Sequence, residues 1–264
     1  MELAFECPVS MLSFVQPLAD YDFCLAHKVL EDPRYANFYR ESEKLKFLDN
    51  SCNELREPLS LTEISKAARI VDPSFIVAPD YLRDSKRTLE GLIEAKELFG
   101  ITKVFPVIQG STKEEVKDLA EAIRSMGFNW VAVPYDILGN RSMDINKLGR
   151  LRMGVVELLR LEGFKWIHLL GLNSLREVAS YQDKPEVQTL DTGAPISNGL
   201  RGKRFGRDKL LDKKAPTWDR MHNVDYDYDR NGDILYNIGY LRKVVRKNGR
   251  HVPYRVEPLP VRDS

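Results

Sequence analysis

Val187-Gln188-Thr189-Leu190-Asp191, running on into Thr192-Gly193-Ala194-Pro195, is the stretch that decides the fold. It reads as a short apolar strand that ends in a carboxylate and enters a Gly/Pro turn. The C-terminal tips of the strands are where an α/β barrel keeps its chemistry. An Asp ahead of Gly or Pro is, taken alone, an ordinary turn former. The pattern gains force because it recurs. Asp49 follows Leu45-Lys46-Phe47-Leu48, Asp80 follows Phe75-Ile76-Val77-Ala78-Pro79, and Gln109-Gly110 follows Val104-Phe105-Pro106-Val107-Ile108. Four apolar runs therefore each end in a polar side chain able to line one pocket.

Outward from these runs, β-rich and helix-like segments alternate. Strand character falls at 45–49, 74–79, 103–109, 129–134, 165–171 and 187–191. Helical patterns cover Leu61–Arg69, Ser85–Leu98, Lys113–Met126, Ile145–Glu162 and Ser174–Tyr181. The third of these opens with Ser111 and a Glu three residues on, an N-cap signature. The fourth carries an apolar stripe at Leu148, Leu151, Val155, Leu158 and Leu159. Two more strands are drawn at Met11–Val15 and Asp22–Leu25, which makes eight. Strands alternating with helices of this length imply βαβ units and a parallel sheet. The expectation is an α/β chain built as a (β/α)8 TIM barrel over 1–198, closing near residue 191. After Asn198 the texture changes to Gly, Lys, Arg and Asp. Residues 199–264 read as a short basic C-terminal extension, with one helix over 233–247 packed on the barrel and an extended tail over 248–264.

The 264-residue length fits one such barrel with little decoration. The chain is 43% hydrophobic and 30% charged, an ordinary globular balance, and no apolar run approaches the roughly 20 residues of a membrane span. The N-terminus has no signal-peptide layout. Cys7, Cys24 and Cys52 lie far apart without zinc spacing and read as reduced thiols of a cytoplasmic protein. Net charge is +1, but unevenly spread. Residues 201–264 hold 16 Lys/Arg against 9 Asp/Glu, while residues 1–200 hold 24 against 30. A basic C-terminal quarter fits either a polyanion-facing surface or a solvated charge-rich tail.

The expected pocket holds Asp49, Asp80, Asp191 and Gln109. An Asp at a strand tip can be a covalent nucleophile toward an electrophilic sugar carbon while a second carboxylate moves protons. A third carboxylate with a nearby amide suits a planar heterocycle bearing N–H and C=O groups. His168, inside an apolar strand, reads as a satisfied core histidine, and Trp130 and Trp166 as core.

In this order and spacing, the motifs resemble the queuine/archaeosine tRNA-guanine transglycosylase superfamily across roughly residues 45–200. Leu48-Asp49-Asn50-Ser51 resembles the segment carrying its general acid/base. Ala78-Pro79-Asp80 resembles the segment with its base-recognising Asp. Pro106-Val107-Ile108-Gln109-Gly110 resembles its Val-Gln-Gly signature, and Ile167-His168-Leu169-Leu170-Gly171-Leu172 its Met-Gly-Val/Ile-Gly strand. Leu190-Asp191-Thr192-Gly193-Ala194-Pro195-Ile196-Ser197-Asn198 resembles its nucleophile segment. The resemblance implies Asp191 as nucleophile, Asp49 as general acid/base, and Asp80, Gln109, Gly110, Tyr135 and Gly171 around the base. It implies no metal or organic cofactor for the exchange.

Three departures stand out. Nothing here can build the C-terminal Cys/Cys/Cys/His zinc site of the tRNA enzymes. Pro134-Tyr135 replaces a Gly-Gly pair whose N–H groups face the base, and proline has none to offer. Ser197 stands where the family has an Arg that holds the anticodon loop. A short, zinc-less chain resembles the phage branch that exchanges guanine in DNA for a 7-deazaguanine such as preQ0, protecting the genome from restriction. The implied partners are DNA and a free 7-deazaguanine base, in host cytoplasm if phage-encoded, with Asn198, Arg201, Lys203, Arg204 and Arg207 holding the backbone. The alternatives are a tRNA-guanine transglycosylase with a reduced C-terminal module, a non-catalytic nucleic-acid-binding paralogue and an unrelated barrel hydrolase. Oligomeric state stays open, a homodimer included.

Overall fold

The computed structural model describes residues 1–139, 143–172, 174–206 and 228–246. Along the chain run β1 (Glu2–Phe5), α1 (Leu12–Val15), β2 (Asp22–Leu25), α2 (Ala26–Glu31), α3 (Pro33–Glu41), β3 (Lys46–Asp49), α4 (Cys52–Leu55), α5 (Leu61–Val71), β4 (Phe75–Val77) and α6 (Ser85–Phe99). There follow β5 (Val104–Phe105), α7 (Lys113–Ser125), β6 (Trp130–Pro134), α8 (Ile145–Leu161), β7 (Trp166–Leu170), α9 (Leu175–Ala179), β8 (Val187–Thr192), α10 (Ala194–Leu200) and α11 (Asn231–Arg246). The strands form two four-stranded sheets, β1-β8-β7-β6 and β2-β3-β4-β5, and every named pairing is parallel. This is a mixed α/β architecture, as the alternating pattern predicts.

Hydrogen bonds also link the two sheets. Just past β5, Ile108 N–H donates to Ala132 O at 2.9 Å and Ala132 N–H to Pro106 O at 2.8 Å. Ahead of β2, Asp20 N–H donates to Leu3 O at 2.8 Å, and the Asp20 carboxylate accepts Leu3 N–H at 2.9 Å. Between the sheets lies an aromatic cluster. Phe47 of β3, Phe75 of β4 and Phe105 of β5 each meet Trp166 of β7, with ring centroids 5.9, 5.3 and 5.3 Å apart. Ala4, Phe23, Val77 and Ala132 complete this layer. On the other side of the strands, a larger aliphatic core packs against the helices. Because both faces of the strands are covered, they read as continuous apolar runs, as parallel strands do.

Local chemistry sets the helix starts. Ser60 and Glu63 form a reciprocal capping box on α5. Asp84, Thr112 and Asp144 accept backbone N–H groups at the starts of α6, α7 and α8. The cap of α7 is Thr112 with Glu115, one residue later than the Ser111 start read from the sequence. Asp32 followed by Pro33 starts α3, which the sequence reading passed over together with α2.

One expected strand is a helix. Met11–Val15 lies in a 3-10 and α-helical run, Val9–Met11 followed by α1. Met11, Leu12 and Val15 are buried while Ser13 is exposed, a helical spacing rather than an alternation. The first strand is Glu2–Phe5. Leu3, Ala4 and Phe5 are all buried, so no period-2 signal marks it. Asp22–Leu25 is β2, as expected.

The helix expected at 233–247 is α11. Asn237, fully buried, ties it to the strand-tip side of the fold. Its Nδ2 donates to Pro195 O at 3.1 Å and Lys203 O at 2.9 Å, and its Oδ1 accepts Phe205 N–H at 2.7 Å. Gly199 on α10 lets α11 approach closely. A Cβ at Gly199 would sit 2.4 Å from Ile234 Cγ1 and 2.8 Å from Ile234 Cα. Because backbone is among the clashing atoms, Gly199→Ala is expected to destabilise the chain by about 1–3 kcal/mol, read as a lower thermal midpoint. Residue 247, the tail 248–264 and Arg207 lie outside the described residues.

Candidate active site

The strand tips converge on a cluster of carboxylates. Asp191 is the fifth of six residues of β8 and is buried. Its Oδ1 accepts the N–H of Gly171 at 3.1 Å and lies 3.2 Å from Nε2 of His168. Burial works to raise Asp191. Hydrogen bonds from His168 and Glu6, the charge interaction with His168 and the Gly171 N–H together hold it below the usual carboxylate range instead.

Asp49, the last residue of β3, behaves in the opposite way. Burial pushes it well above the usual range, Glu54 adds to this, and the Ser51 N–H bond to Oδ2 at 2.8 Å offsets it only in part. The turn that presents this N–H needs Ser51 in the left-handed region at φ 66°. The Ser51 hydroxyl lies 2.8 Å from Nδ1 of His27 and 3.2 Å from His27 N, which holds the turn in place.

Asp80 and Gln109 are brought together and hold each other. Gln109 Nε2 donates to Asp80 Oδ2 at 2.6 Å, Asn50 Nδ2 donates to Asp80 Oδ1 at 2.8 Å, and Gln109 Oε1 accepts Arg83 N–H at 3.1 Å. Burial raises Asp80, against the bonds from Asn50 and Gln109. Each carboxylate oxygen keeps a second lone pair and the Gln109 amide a second N–H, so an incoming heterocycle still finds acceptors and a donor.

Gly110 is needed for packing, since a Cβ there would lie 3.0 Å from Val116 Cγ2 and 3.2 Å from Val116 N at the start of α7. Gly171, at φ +71°, lies against Tyr135; a Cβ would meet Tyr135 Cδ1 at 3.3 Å. Behind it, the buried Arg152 of α8 donates through Nη1 to Leu170 O at 3.0 Å and Gly171 O at 2.9 Å. The same guanidinium pairs with Glu177 at 2.6 Å and 3.1 Å, and Tyr181 donates to Glu177 at 3.0 Å. This buried fork sets the peptide planes that turn the Gly171 N–H toward Asp191.

The residues expected to hold a nucleic-acid backbone are placed differently from one another. Asn198 is 4% exposed, donates from Nδ2 to Ala194 O at 2.9 Å, and sits inside the fold rather than on its surface. Arg201, Lys203 and Arg204 are half-buried just after α10. Arg204 pairs with Asp233 at 2.6 Å and lies over the Tyr236 ring at 5.2 Å.

Sequence reasoning missed further carboxyl groups here, Glu6 and Glu54 among them. Glu6 follows buried β1 as Asp191 falls near the end of β8, so the same strand-then-carboxylate signal was present once that strand is placed correctly. Burial and the neighbouring Asp191 raise it well above its ordinary value. Glu54, on the single turn α4, carried no signal; burial raises it to about 7. His168 is a core histidine, as read, but one whose ring reaches Asp191. Among the described residues, no group of three or more His, Cys, Asp or Glu side chains is arranged to hold a metal ion, and no helix is long and apolar enough to cross a membrane. Comparison with protein-family models gives no match, and comparison with curated protein sequences gives none either.

Proposed function

We propose that the chain is a guanine transglycosylase acting on DNA, and that its two parallel sheets are the halves of one (β/α)8 barrel with the reaction at the strand tips. One observation carries the reading. Two carboxyl groups of a single buried cluster, Asp191 and Asp49, are pushed in opposite directions. Such divergence separates a nucleophile that must be ionised from an acid that must hold its proton. The barrel is supported by the aromatic layer reached from both sheets and by the hydrogen bonds joining β5 to β6 and β1 to the approach of β2.

In the proposed reaction Asp191 attacks C1′ of the target nucleoside. The Asp–O–C1′ bond forms, the bond from C1′ to guanine breaks, and Asp49 gives its proton to the departing base. A 7-deazaguanine then loses a proton to Asp49 and attacks C1′, releasing Asp191. Two inversions give net retention. Asp80 and Gln109 meet the base edge. The target guanine leaves the stack at a cost of a few kcal/mol, and Arg201, Lys203 and Arg204 lie beside the nucleophile helix to hold the strand.

Preference for DNA rests on the sequence. The cysteines of this sequence, Cys7, Cys24 and Cys52, are buried and fall within its first 52 residues, unlike the C-terminal Cys/Cys/Cys/His set of the tRNA enzymes. Ser197 replaces an anticodon-loop Arg. Labelled guanine or preQ0 offered with duplex DNA and with tRNA separately is the test. Label entering DNA supports the reading; label entering tRNA alone overturns the choice of DNA, and label entering neither overturns the activity.

The rate should follow a bell-shaped pH profile. Activity needs Asp191 ionised, so the acid limb lies below the ordinary carboxylate range. It needs Asp49 protonated, so the alkaline limb lies well above that range. Asp49→Asn is expected to lower the exchange rate by about 10²–10⁴-fold and remove the alkaline limb, measured as rate against pH.

A further inference from the structure

His168 sits in an unusual position for a core residue. Its ring packs near-parallel against Phe23, at 5.6 Å and 22°, and Phe47, at 5.4 Å and 18°, which also stack on each other at 6.3 Å. Its side chain is fully buried, yet each nitrogen meets a polar atom. Nδ1 lies 2.9 Å from the Thr189 hydroxyl and Nε2 3.2 Å from Asp191 Oδ1. The same hydroxyl accepts the indole N–H of Trp166 at 2.9 Å.

The donor inventory orders this chain. Indole N–H can only donate, so Thr189 Oγ1 accepts from Trp166, and its own proton is free to go to His168 Nδ1. An ionised carboxylate can only accept, so the ring nitrogen facing Asp191, Nε2, carries the proton, and Nδ1 accepts from Thr189. The phenyl rings pack against the imidazole face, and Nε2 approaches Oδ1 at 3.2 Å outside in-line hydrogen-bond geometry, a close polar contact to a buried carboxylate.

We propose that Trp166, Thr189 and His168 form a positioning relay. It orders the ring so that His168 presents its Nε2 proton to Oδ1 of Asp191 and, with the Gly171 N–H, holds that carboxylate in place. His168 acts through Asp191 and not on the substrate. This rests on Asp191 being the nucleophile, but the tautomer and the effect on Asp191 hold for any ligand of the site. Partners of this kind, which orient a reactive group through a histidine, cost about 10–100-fold when removed.

Two variants separate the role from simple packing. His168→Phe keeps an aromatic ring against Phe23 and Phe47 and loses both nitrogens. Thr189→Val, close in shape, removes only the hydroxyl that sets the tautomer. The titration of Asp191 is followed by carboxyl-carbon NMR of the full chain, its resonance identified by its loss in Asp191→Asn, beside exchange kinetics. Expected are an upward move of the Asp191 titration in both variants, a kcat reduced by about 10–100-fold with KM little changed, and an acid limb displaced to higher pH. His168→Gln, which can still present an N–H, is expected to restore part of kcat. An Asp191 titration unmoved in folded His168→Phe and Thr189→Val overturns the relay. If the titration moves but wild-type protein exchanges no base, the relay stands and the transglycosylase reading is the one that fails.

Discussion

Asp191→Asn is expected to abolish guanine exchange, with a loss on the order of 10⁴-fold or more, the scale on which removing a covalent nucleophile acts. Asn keeps the shape of the side chain and an oxygen able to accept the Gly171 N–H and the His168 N–H, at the positions where Asp191 now holds them at 3.1 and 3.2 Å. What it lacks is the charge that attacks C1′. The variant therefore stays folded and still retains guanine-containing DNA. Exchange assayed with labelled guanine checks the loss, and a thermal melt checks the fold. Exchange at wild-type rate would remove Asp191 from the mechanism.

The largest effect on stability is expected at Arg152. Arg152 and Glu177 form a two-pronged ion pair with side chains 0% and 1% exposed. A pair of this kind contributes little net stability compared with an apolar replacement, because desolvation offsets the attraction. Removing one partner leaves a buried charge with no counterpart, at a cost of about 3–5 kcal/mol. For a chain of this size that corresponds to a fall in thermal midpoint of roughly 6–20 °C. Arg152→Ala carries this cost and also frees the carbonyls of Leu170 and Gly171. Replacing both partners by Met, Arg152→Met with Glu177→Met, should recover much of the stability because no lone charge remains. Base exchange should stay impaired, since the Gly171 N–H is no longer held toward Asp191. Calorimetry and exchange kinetics on the single and double variants separate the two effects. Equal stability of Arg152→Ala and wild type would contradict the account of this pair.

Much of the fold was legible because its strands and helices differ in period and length. Helices α5, α6, α7 and α8 fall within two residues of where apolar spacing and capping residues put them. The strands ending at Asp49 and Asp191 were readable as apolar runs closed by a carboxylate. Glu2–Phe5 was not, because a strand buried on both faces has no alternation and acidic residues flank it. Met11–Val15 was taken for a strand because five mostly apolar residues do not distinguish a strand from a helical turn.

The site was legible only in part. Asp49, Asp80, Gln109 and Asp191 sit at strand tips and are brought into one buried cluster. The supporting chemistry was hidden for separable reasons. Glu6 depended on the misplaced first strand. Arg152 lies on the buried face of α8 between Leu148 and Val155, where a charge looks like an interruption of the stripe. The 3.2 Å approach of His168 Nε2 to Asp191 joins adjacent strands 23 residues apart, and nothing in either strand alone announces it. Asn198, read as a surface contact, is buried because α11 lies across α10.

The central claim is a covalent bond between Asp191 and the sugar of a DNA nucleoside. Intact-mass and peptide mass spectrometry of protein quenched in acid, during turnover with a guanine-containing DNA oligonucleotide, measures it directly. The account predicts an adduct equal to the oligonucleotide less one guanine, carried on the peptide that contains Asp191, which disappears when a 7-deazaguanine base is added before the quench. Exchange that proceeds with no adduct on that peptide, or with one on another residue, would contradict it.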